Sequence, residues 1–416
     1  MQRSVLAMIM AGGRGRRLYP LTQTRAKPAV PFGGKFRIID FVLSNFVNSE
    51  IFSIYVLTQF KSQSLTEHLQ AGWNFAGTLS GQFVTPVPAQ MQTGSSWYMG
   101  TADAIFQNLN LVSESGPDIV CIFGGDHIYR MNVSQMVAFH EQRRSDLTVA
   151  ATVVPKKDAS AFGVIEVDDT WRIIDFKEKP EDPPGMPRDP DHCLVSMGNY
   201  VFTREPLEAL LLEDAADPDS THDFGNDIIP RAIGERRVFC YDFTRNQVPG
   251  QDGPNTYWRD VGTIESYFDA SMDLRMPLPE FNLYNDLWPI RTPRFDAPPA
   301  KFVHHEENRK GRAIDSLVGE GSIISGALVK NSIIGRKVKI HSFCEVTDSI
   351  IFDNVEIGRG SRIHRAIIDK NNRLPPDTVI GHDDATPAGD HFVSDTGIVV
   401  VPKRPRFESK IGMLHF

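Results

Sequence analysis

The segment Ala11-Gly12-Gly13-Arg14-Gly15-Arg16-Arg17-Leu18 combines two residue types that suit binding of a small phosphate. Glycine permits positive φ and lets backbone N–H groups approach an anion closely. Arginine adds delocalised positive charge able to reach triphosphate oxygens. Spacing excludes two familiar alternatives. No Gly-Lys-Ser/Thr closes the segment, so it is not a P-loop, and Leu18 stands where the third glycine of a dinucleotide fingerprint would be. A second basic element, Arg25-Ala26-Lys27-Pro28, follows close behind. Further along, two glycines and Asp126 end an apolar run, which puts a carboxylate at the carboxyl edge of a sheet, where ligands of open α/β folds bind. On residue type alone these features stay open. A Gly/Arg segment can be a plain turn, an Asp after glycines can cap a helix, and Phe176-Lys177-Glu178-Lys179-Pro180 reads as a solvated charged stretch.

The elements that must position them follow from hydrophobic patterning. Short apolar runs alternate with amphipathic segments over roughly the first 285 residues, the pattern of an α/β domain. Buried strands are expected at Val5 to Met10, Ile54 to Leu57, Ile119 to Phe123 and Leu147 to Val154, and helices at Ser64 to Gln70 and Ala102 to Val112. A Pro-rich stretch from Trp288 to Pro299 reads as a linker. Beyond it Ser332-Ile333-Ile334 recurs as Ser349-Ile350-Ile351 and as Ala366-Ile367-Ile368, a spacing of 17. Aliphatics return every six positions, as Ile334/Ile340/Val346, Ile351/Ile357/Ile363 and Ile368/Leu374/Ile380, with an imperfect earlier turn through Val318, Ile324 and Val329. No α-helix has that period. Three sides of six residues, one shortened, make a coil of a parallel β-helix, with Gly335 and Gly358 at corners.

Bulk properties narrow the class further. The 416 residues are 41% hydrophobic and 23% charged with net charge −8, which suits a globular protein of two or three domains and argues against a nucleic-acid binder. The four cysteines, Cys121, Cys193, Cys240 and Cys344, lie far apart, so neither a zinc knuckle nor a disulfide framework is expected. No apolar stretch approaches the roughly 20 residues of a membrane span. A cytoplasmic location and no membrane partner are the expectation.

The spread of longer motifs carries a resemblance. They are Ala11-Gly-Gly-Arg-Gly, Arg25-Ala-Lys-Pro-Ala, Phe32 to Asp40, Trp97-Tyr98 before Gly100-Thr-Ala-Asp, Gly125 to Tyr129, Phe162-Gly163-Val164, Phe176 to Pro180, Ser196-Met197-Gly198 and Tyr257 to Gly262. With these the chain resembles the sugar-nucleotide pyrophosphorylases, in their ADP-glucose branch. The fold implied is α/β: a Rossmann-like nucleotidyltransferase domain with a mixed, mostly parallel sheet over 1–285 and a linker over 286–312. A left-handed parallel β-helix over 313–416 would serve regulation and oligomerisation.

The resemblance also implies a reaction. Glucose 1-phosphate attacks the α-phosphorus of ATP, pyrophosphate leaves, and ADP-glucose results, the committed step of bacterial glycogen synthesis. Asp126 and Asp260 would hold Mg2+, and Arg17 and Lys27 would meet the triphosphate. Gly13 lies in the nucleotide loop and Gln90 in the segment over the adenine, while Tyr98 matches a residue contacting ADP-glucose. Gly163, Glu178 and Ser196 would line the sugar pocket, with Lys179 on the sugar phosphate. Gln59 and Trp97 match positions that connect effector binding to the active site. Arg25, Arg37, Arg404 and Arg406 would line a regulatory site for sugar phosphates or pyruvate as activators and AMP, ADP or phosphate as inhibitors. A homotetramer is the implied assembly.

Two positions depart from the pattern. Thr24 replaces a commonly basic residue and Pro31 replaces a histidine or tyrosine, which should weaken binding of an anionic activator. The competing readings are a pyrophosphorylase using UTP, dTTP or GTP, a hexapeptide acyltransferase, and a regulatory subunit that has lost catalysis. The short helix, without a His-bearing insertion, argues against the acyltransferase. Joint retention of Arg17, Asp126, Lys179 and Asp260 argues against a silent subunit.

Overall fold

The computed structural model describes residues 3–74, 81–91, 97–254, 256–306, 308–382 and 391–403. The chain forms two compact units: Met1–Gly13, Ile39–Trp258 and Tyr284–Pro293 make one, and Arg14–Ile38, Arg259–Leu283 and Arg294–Phe416 the other.

The first unit is built on a nine-stranded sheet. Its strands are β1 (Val5–Met10), β2 (Ser53–Thr58), β3 (Phe83–Pro88), β4 (Ile119–Gly124), β5 (Leu147–Pro155), β6 (Gly163–Val167), β7 (Ile173–Glu178), β8 (His192–Thr203) and β9 (Val238–Asp242). The order is β7-β6-β8-β4-β1-β2-β3, with β5 beside β8 and β9 beside β5. Strand β1 runs parallel to both β2 and β4, and every residue of β4 is buried. That explains a continuous apolar run where a half-buried strand would alternate. The pairs of β8 with β4, β5 and β6, and of β6 with β7, are antiparallel.

Register then decides which residues share an edge. Met10 lies opposite both Leu57 and Gly124, so Gly12, Gln59 and Asp126 leave the sheet together at its carboxyl edge. Thr58 lies opposite Pro88, which sends Gln90 from the same edge. In the antiparallel half Glu178 pairs with Gly163, and Val195, just before Ser196, pairs with Val164. Residues scattered through the sequence are thereby gathered into two groups by strand pairing alone.

The expected strands are all present, each within a residue of its expected bounds. Helix α1 (Ile38–Asn48) precedes β2, and α2 (Gln63–Gly72) matches the expectation over 64–70. The single helix expected over 102–112 is instead two, α3 (Thr101–Phe106) and α4 (Leu109–Ser115). The break has a local cause. Asn108 adopts φ −118°, ψ 19°, and its side-chain amide donates to the Ala104 carbonyl at 2.8 Å, competing with the helical ladder. The Pro-rich stretch forms no regular element and begins pinned along α1. There Asn48 donates to the Pro289 carbonyl at 2.9 Å, Ser44 accepts from the Arg291 amide at 2.8 Å, and Thr292 donates to Asp40 at 2.8 Å.

The second unit carries the β-helix. Its short strands stack into three sheets that are parallel apart from one terminal hairpin, Phe392–Val393 with Val399–Val401. Coil follows coil in steps of 17: Ile334, Ile351 and Ile368 align, as do Ile340, Ile357 and Leu374, and Val346, Ile363 and Ile380. The earlier turn fits the same ladder, Val318 opposite Ile334, Ile324 opposite Ile340 and Val329 opposite Val346. All nine expected aliphatics are buried in one core. Corners recur at the same interval. Asn331, Asp348 and Arg365 all take positive φ, as do Lys337, Asn354 and Asn371, and short polar residues tolerate that conformation best. A Cβ on Gly335 would lie 2.8 Å from the Asp353 nitrogen of the next coil, so that corner needs glycine.

Ile351→Ala, which empties one rung of this core, should cost about 2–5 kcal/mol and lower the thermal midpoint. Lys339→Ala, on an exposed position of the same helix, should leave it within about 1 °C, since surface changes rarely exceed half a kcal/mol. Equal effects from the two substitutions would contradict this account of the core.

Candidate active site

In the first unit, the carboxyl edge of β1, β2 and β4 holds Gly12, Gln59 and Asp126. A Cβ on Gly12 would lie 3.2 Å from the Gln59 Cβ, and nothing lies within 4 Å of a Cβ built on Gly13. The Gln59 amide sits 3.5 Å from the Tyr98 carbonyl, so Gly12, Gln59 and Tyr98 converge, with Trp97 exposed beside them. The Tyr98 hydroxyl accepts from Asn108 at 2.9 Å, and burial raises its pKa. The segment after Tyr98 is tightly seated. A side chain on Gly100 would run into the His222 carbonyl, and the Met99 amide donates to Asp103 at 2.8 Å.

Asp126 leaves β4 with its carboxylate partly exposed, 3.7 Å from His127 Nε2. His127 is packed on Trp258 with ring centroids 5.0 Å apart, and Phe162 backs the same indole at 5.2 Å. That stack holds the Asp126-His127 turn at the edge. A carboxylate oxygen there is a hard donor and fits a divalent cation of the Mg2+ type better than a soft one.

The antiparallel half forms a second constellation around Glu178. A Cβ on Gly163 would lie 2.8 Å from Glu178 Oε2, and one on Gly225 would lie 2.5 Å from it. Two glycines thus leave the space that the carboxylate occupies. Lys179 pairs with Glu178 and is otherwise exposed. It takes φ +47°, unusual for a residue with a side chain, and its amide donates to the Phe162 carbonyl at 3.1 Å. Ser196 Oγ accepts from the Gly198 amide at 3.2 Å across the bulge that interrupts β8, and it hydrogen-bonds the Tyr200 hydroxyl. Burial pushes the Tyr200 phenol up, so it stays protonated as a donor or acceptor.

In the second unit, Asp260 gathers two cations. Lys27 Nζ donates to Oδ1 at 2.6 Å and Arg17 Nη2 to Oδ2 at 3.3 Å, with Lys27 and Asp260 largely buried and Arg17 exposed. The loop is shaped for this. Gly15 takes φ +56°, where a Cβ would meet that of Lys27 at 2.9 Å, and Thr22 Oγ1 donates to the Gly15 carbonyl at 3.0 Å. Asp260 is followed by α5 (Ile264–Asp273), whose Thr263/Ser266 capping box satisfies the helix start. Tyr267 of that helix stacks edge-on against Phe32 at 5.8 Å and donates to the Pro31 carbonyl.

Arg25 stands apart from that cluster. It is buried, and its Nη2 donates to both oxygens of Asp369, at 2.8 and 3.0 Å. Beside it Arg336, Asp353 and Lys370 form a charged column, Arg336 at 2.9 Å and Lys370 at 3.2 Å from Asp353. Burial lowers the Lys370 pKa to about 8, assisted by the nearby charges of Arg37 and Arg25. Arg404 and Arg406 lie outside the described residues. Gly225, Asp369 and Lys370 were not expected from sequence. The signal for Lys370 was present, because Arg336, Asp353 and Lys370 are spaced by the coil repeat of 17 with alternating charge.

Lys370 therefore loses its proton earlier in the folded chain than in the unfolded one, where a lysine titrates near about 10.4. Between about pH 8 and that value the unfolded state binds more protons, so this residue's contribution to stability rises with pH; below about 8 its burial penalty is fully felt. The thermal midpoint of the parent, measured against Lys370→Met, should gain as pH goes from about 7.5 to about 10. A difference independent of pH would contradict the assignment.

Comparison with known proteins converges on one group. Residues 6–276 match the family model described as nucleotidyl transferase, and residues 298–401 match that of the GlmU-like, C-terminal hexapeptide. A glucose-1-phosphate adenylyltransferase of Thermus thermophilus is 55% identical over 409 residues, 97% of this chain and 99% of that one. Its namesake in Deinococcus deserti is 52% identical over 414 residues, 98% and 100% of the two chains. One from Aliivibrio fischeri is 50% identical over 402 residues, 97% and 98%. With one family model over most of the chain and relatives at 50–55% identity along nearly the whole of both chains, the chain belongs to the glucose-1-phosphate adenylyltransferase family.

Proposed function

We propose that the protein catalyses ATP + α-D-glucose 1-phosphate → ADP-glucose + pyrophosphate, the committed step of bacterial glycogen synthesis. The observation that carries this is identity of 50–55% over nearly the whole chain to enzymes bearing that activity in their names. The two constellations of the first unit and the cation–carboxylate cluster of the second suit it chemically.

A sugar phosphate oxygen attacks the α-phosphorus of ATP in line; the new P–O bond forms as the bond to the β-phosphate oxygen breaks. Such a step needs positioning and charge neutralisation rather than covalent help from the protein. Glu178, Ser196 and Gly163 receive the sugar, and Lys179 meets its phosphate. Arg17, Lys27 and the backbone at Gly12 and Gly13 meet the triphosphate. Gln90 offers an amide to the adenine edge, and Tyr98 contacts the sugar nucleotide. Asp126 and Asp260 are the carboxylates we assign to Mg2+, which when bound neutralises charge on the phosphates and the leaving group. Gln59 and Trp97 connect effector state to this chemistry, and Arg25 and Arg37, with Arg404 and Arg406, belong to the effector site.

We assign catalysis to 1–285, a linker to 286–312 and regulation with oligomerisation, as a homotetramer, to 313–416. Four buried, unpaired thiols suit the cytoplasm; no helix among the described residues is long and apolar enough to cross a membrane. Activators would be sugar phosphates or pyruvate and inhibitors AMP, ADP or phosphate, with Thr24 and Pro31 weakening the usual activator.

Asp126→Asn tests the site assignment. It should keep the thermal midpoint of the parent and lower ADP-glucose formation at least about a hundredfold, the scale of losing one electrostatic contact to developing charge. Turnover near that of the parent would overturn the role given to Asp126. Regulation is tested by a dose-response panel of sugar phosphates, pyruvate and AMP, in which at least one should change the rate; a flat response to all would remove the effector site.

A further inference from the structure

The repeat of 17 does more than stack aliphatics. It places Thr347, His364 and Gly381 in one column of the β-helix and Asp348, Arg365 and His382 in the next. Gly381 takes φ +73°, and a Cβ there would run into the His364 carbonyl, so the chain turns tightly over His364 before delivering His382. The two imidazoles consequently face each other with ring centroids 5.5 Å apart and planes inclined by 40°.

Three further observations point to a ligand. Among the described residues the buried His382 Nε2 has no hydrogen-bond partner, a costly state for an imidazole nitrogen. His364 is oriented from behind. Its Nδ1 lies 2.9 Å from Thr347 Oγ1 and 3.7 Å from Asp348 Oδ2, the arrangement that fixes a metal-binding histidine with its other nitrogen directed outward. The cation next to His364 is engaged elsewhere, with the Arg365 guanidinium over the Phe268 ring at 5.7 Å.

We propose that His364 and His382 form a two-imidazole site for a late first-row divalent ion of the Zn2+ class, clasping the last coils of the β-helix. Imidazole nitrogen prefers Zn2+, Ni2+ and Cu2+ over Mg2+ and Ca2+, so the site is chemically distinct from the carboxylates assigned to the reaction. Its role is structural: a metal bound by the folded chain alone raises stability by mass action.

The test is equilibrium dialysis of the full chain against Zn2+ in excess Mg2+, with the thermal midpoint followed in parallel. The parent should retain one Zn2+ that Mg2+ does not displace and should melt higher in its presence. His382→Ala and, separately, His364→Gln should each weaken retention at least about tenfold and abolish the shift. Asp126→Asn should do neither. Circular dichroism establishes that each variant is folded, and the two histidines are tested independently so that misfolding of one leaves the other decisive. Retention of Zn2+ at parental affinity by either folded histidine variant, or no retention by the parent, would overturn the site.

Discussion

A single largely buried carboxylate, Asp260, organises the basic segment that follows the first strand. Lys27 and Arg17, more than two hundred residues earlier in sequence, converge on its two oxygens. Removing one partner of such a pair typically costs about 3–5 kcal/mol, yet replacing the whole set by apolar residues is often neutral or better. Stability alone is therefore a weak reason for it. Its surroundings are shaped to keep it. Gly15 gives Lys27 room, a Cβ on Gly262 would come within 3.0 Å of Arg17 Nη2, and the capped start of α5 holds the backbone just beyond. A carboxylate held between two cations fixes where those cations lie, and the order of the basic segment depends on it.

Strand register plays the corresponding part in the first unit. Because Met10, Leu57 and Gly124 lie level in β1, β2 and β4, the residues two positions beyond them, Gly12, Gln59 and Asp126, share an edge. The antiparallel β6, β7 and β8 do the same for Gly163, Glu178 and Ser196. Glycines at 163 and 225 leave the Glu178 carboxylate the space it occupies, which a side chain at either position would take. Function here comes from pairing geometry acting on a few small residues, and the rest of the sheet exists to hold that geometry.

Much of this was legible in the sequence, for physical reasons. The β-helix announced itself because its core repeats: the same 17-residue spacing that marks the aliphatics also sets their register. Buried parallel strands were readable as unbroken apolar runs. The break between α3 and α4 was not, because apolar spacing reports a helical face and not the competition of one amide, Asn108, for a backbone carbonyl. The burial of Arg25 against Asp369 was equally hidden, since the partners lie 344 residues apart and neither position marks its distant mate. Lys370 was missed for another reason. Its charge column with Arg336 and Asp353 follows the repeat, but charged residues at a repeat position are ordinarily solvated and carry no apolar signature of burial. The residue roles came from resemblance, and the geometry supplies the contacts those roles would use.

The most direct measurement is pyrophosphate release with glucose 1-phosphate and Mg2+, run side by side with ATP, UTP, dTTP and GTP. Release with ATP should exceed that with each other nucleotide by at least about tenfold, which corresponds to about 1.4 kcal/mol of discrimination. Preference for another nucleotide, or no release with any of them from the folded protein across the range of effectors, would contradict the account.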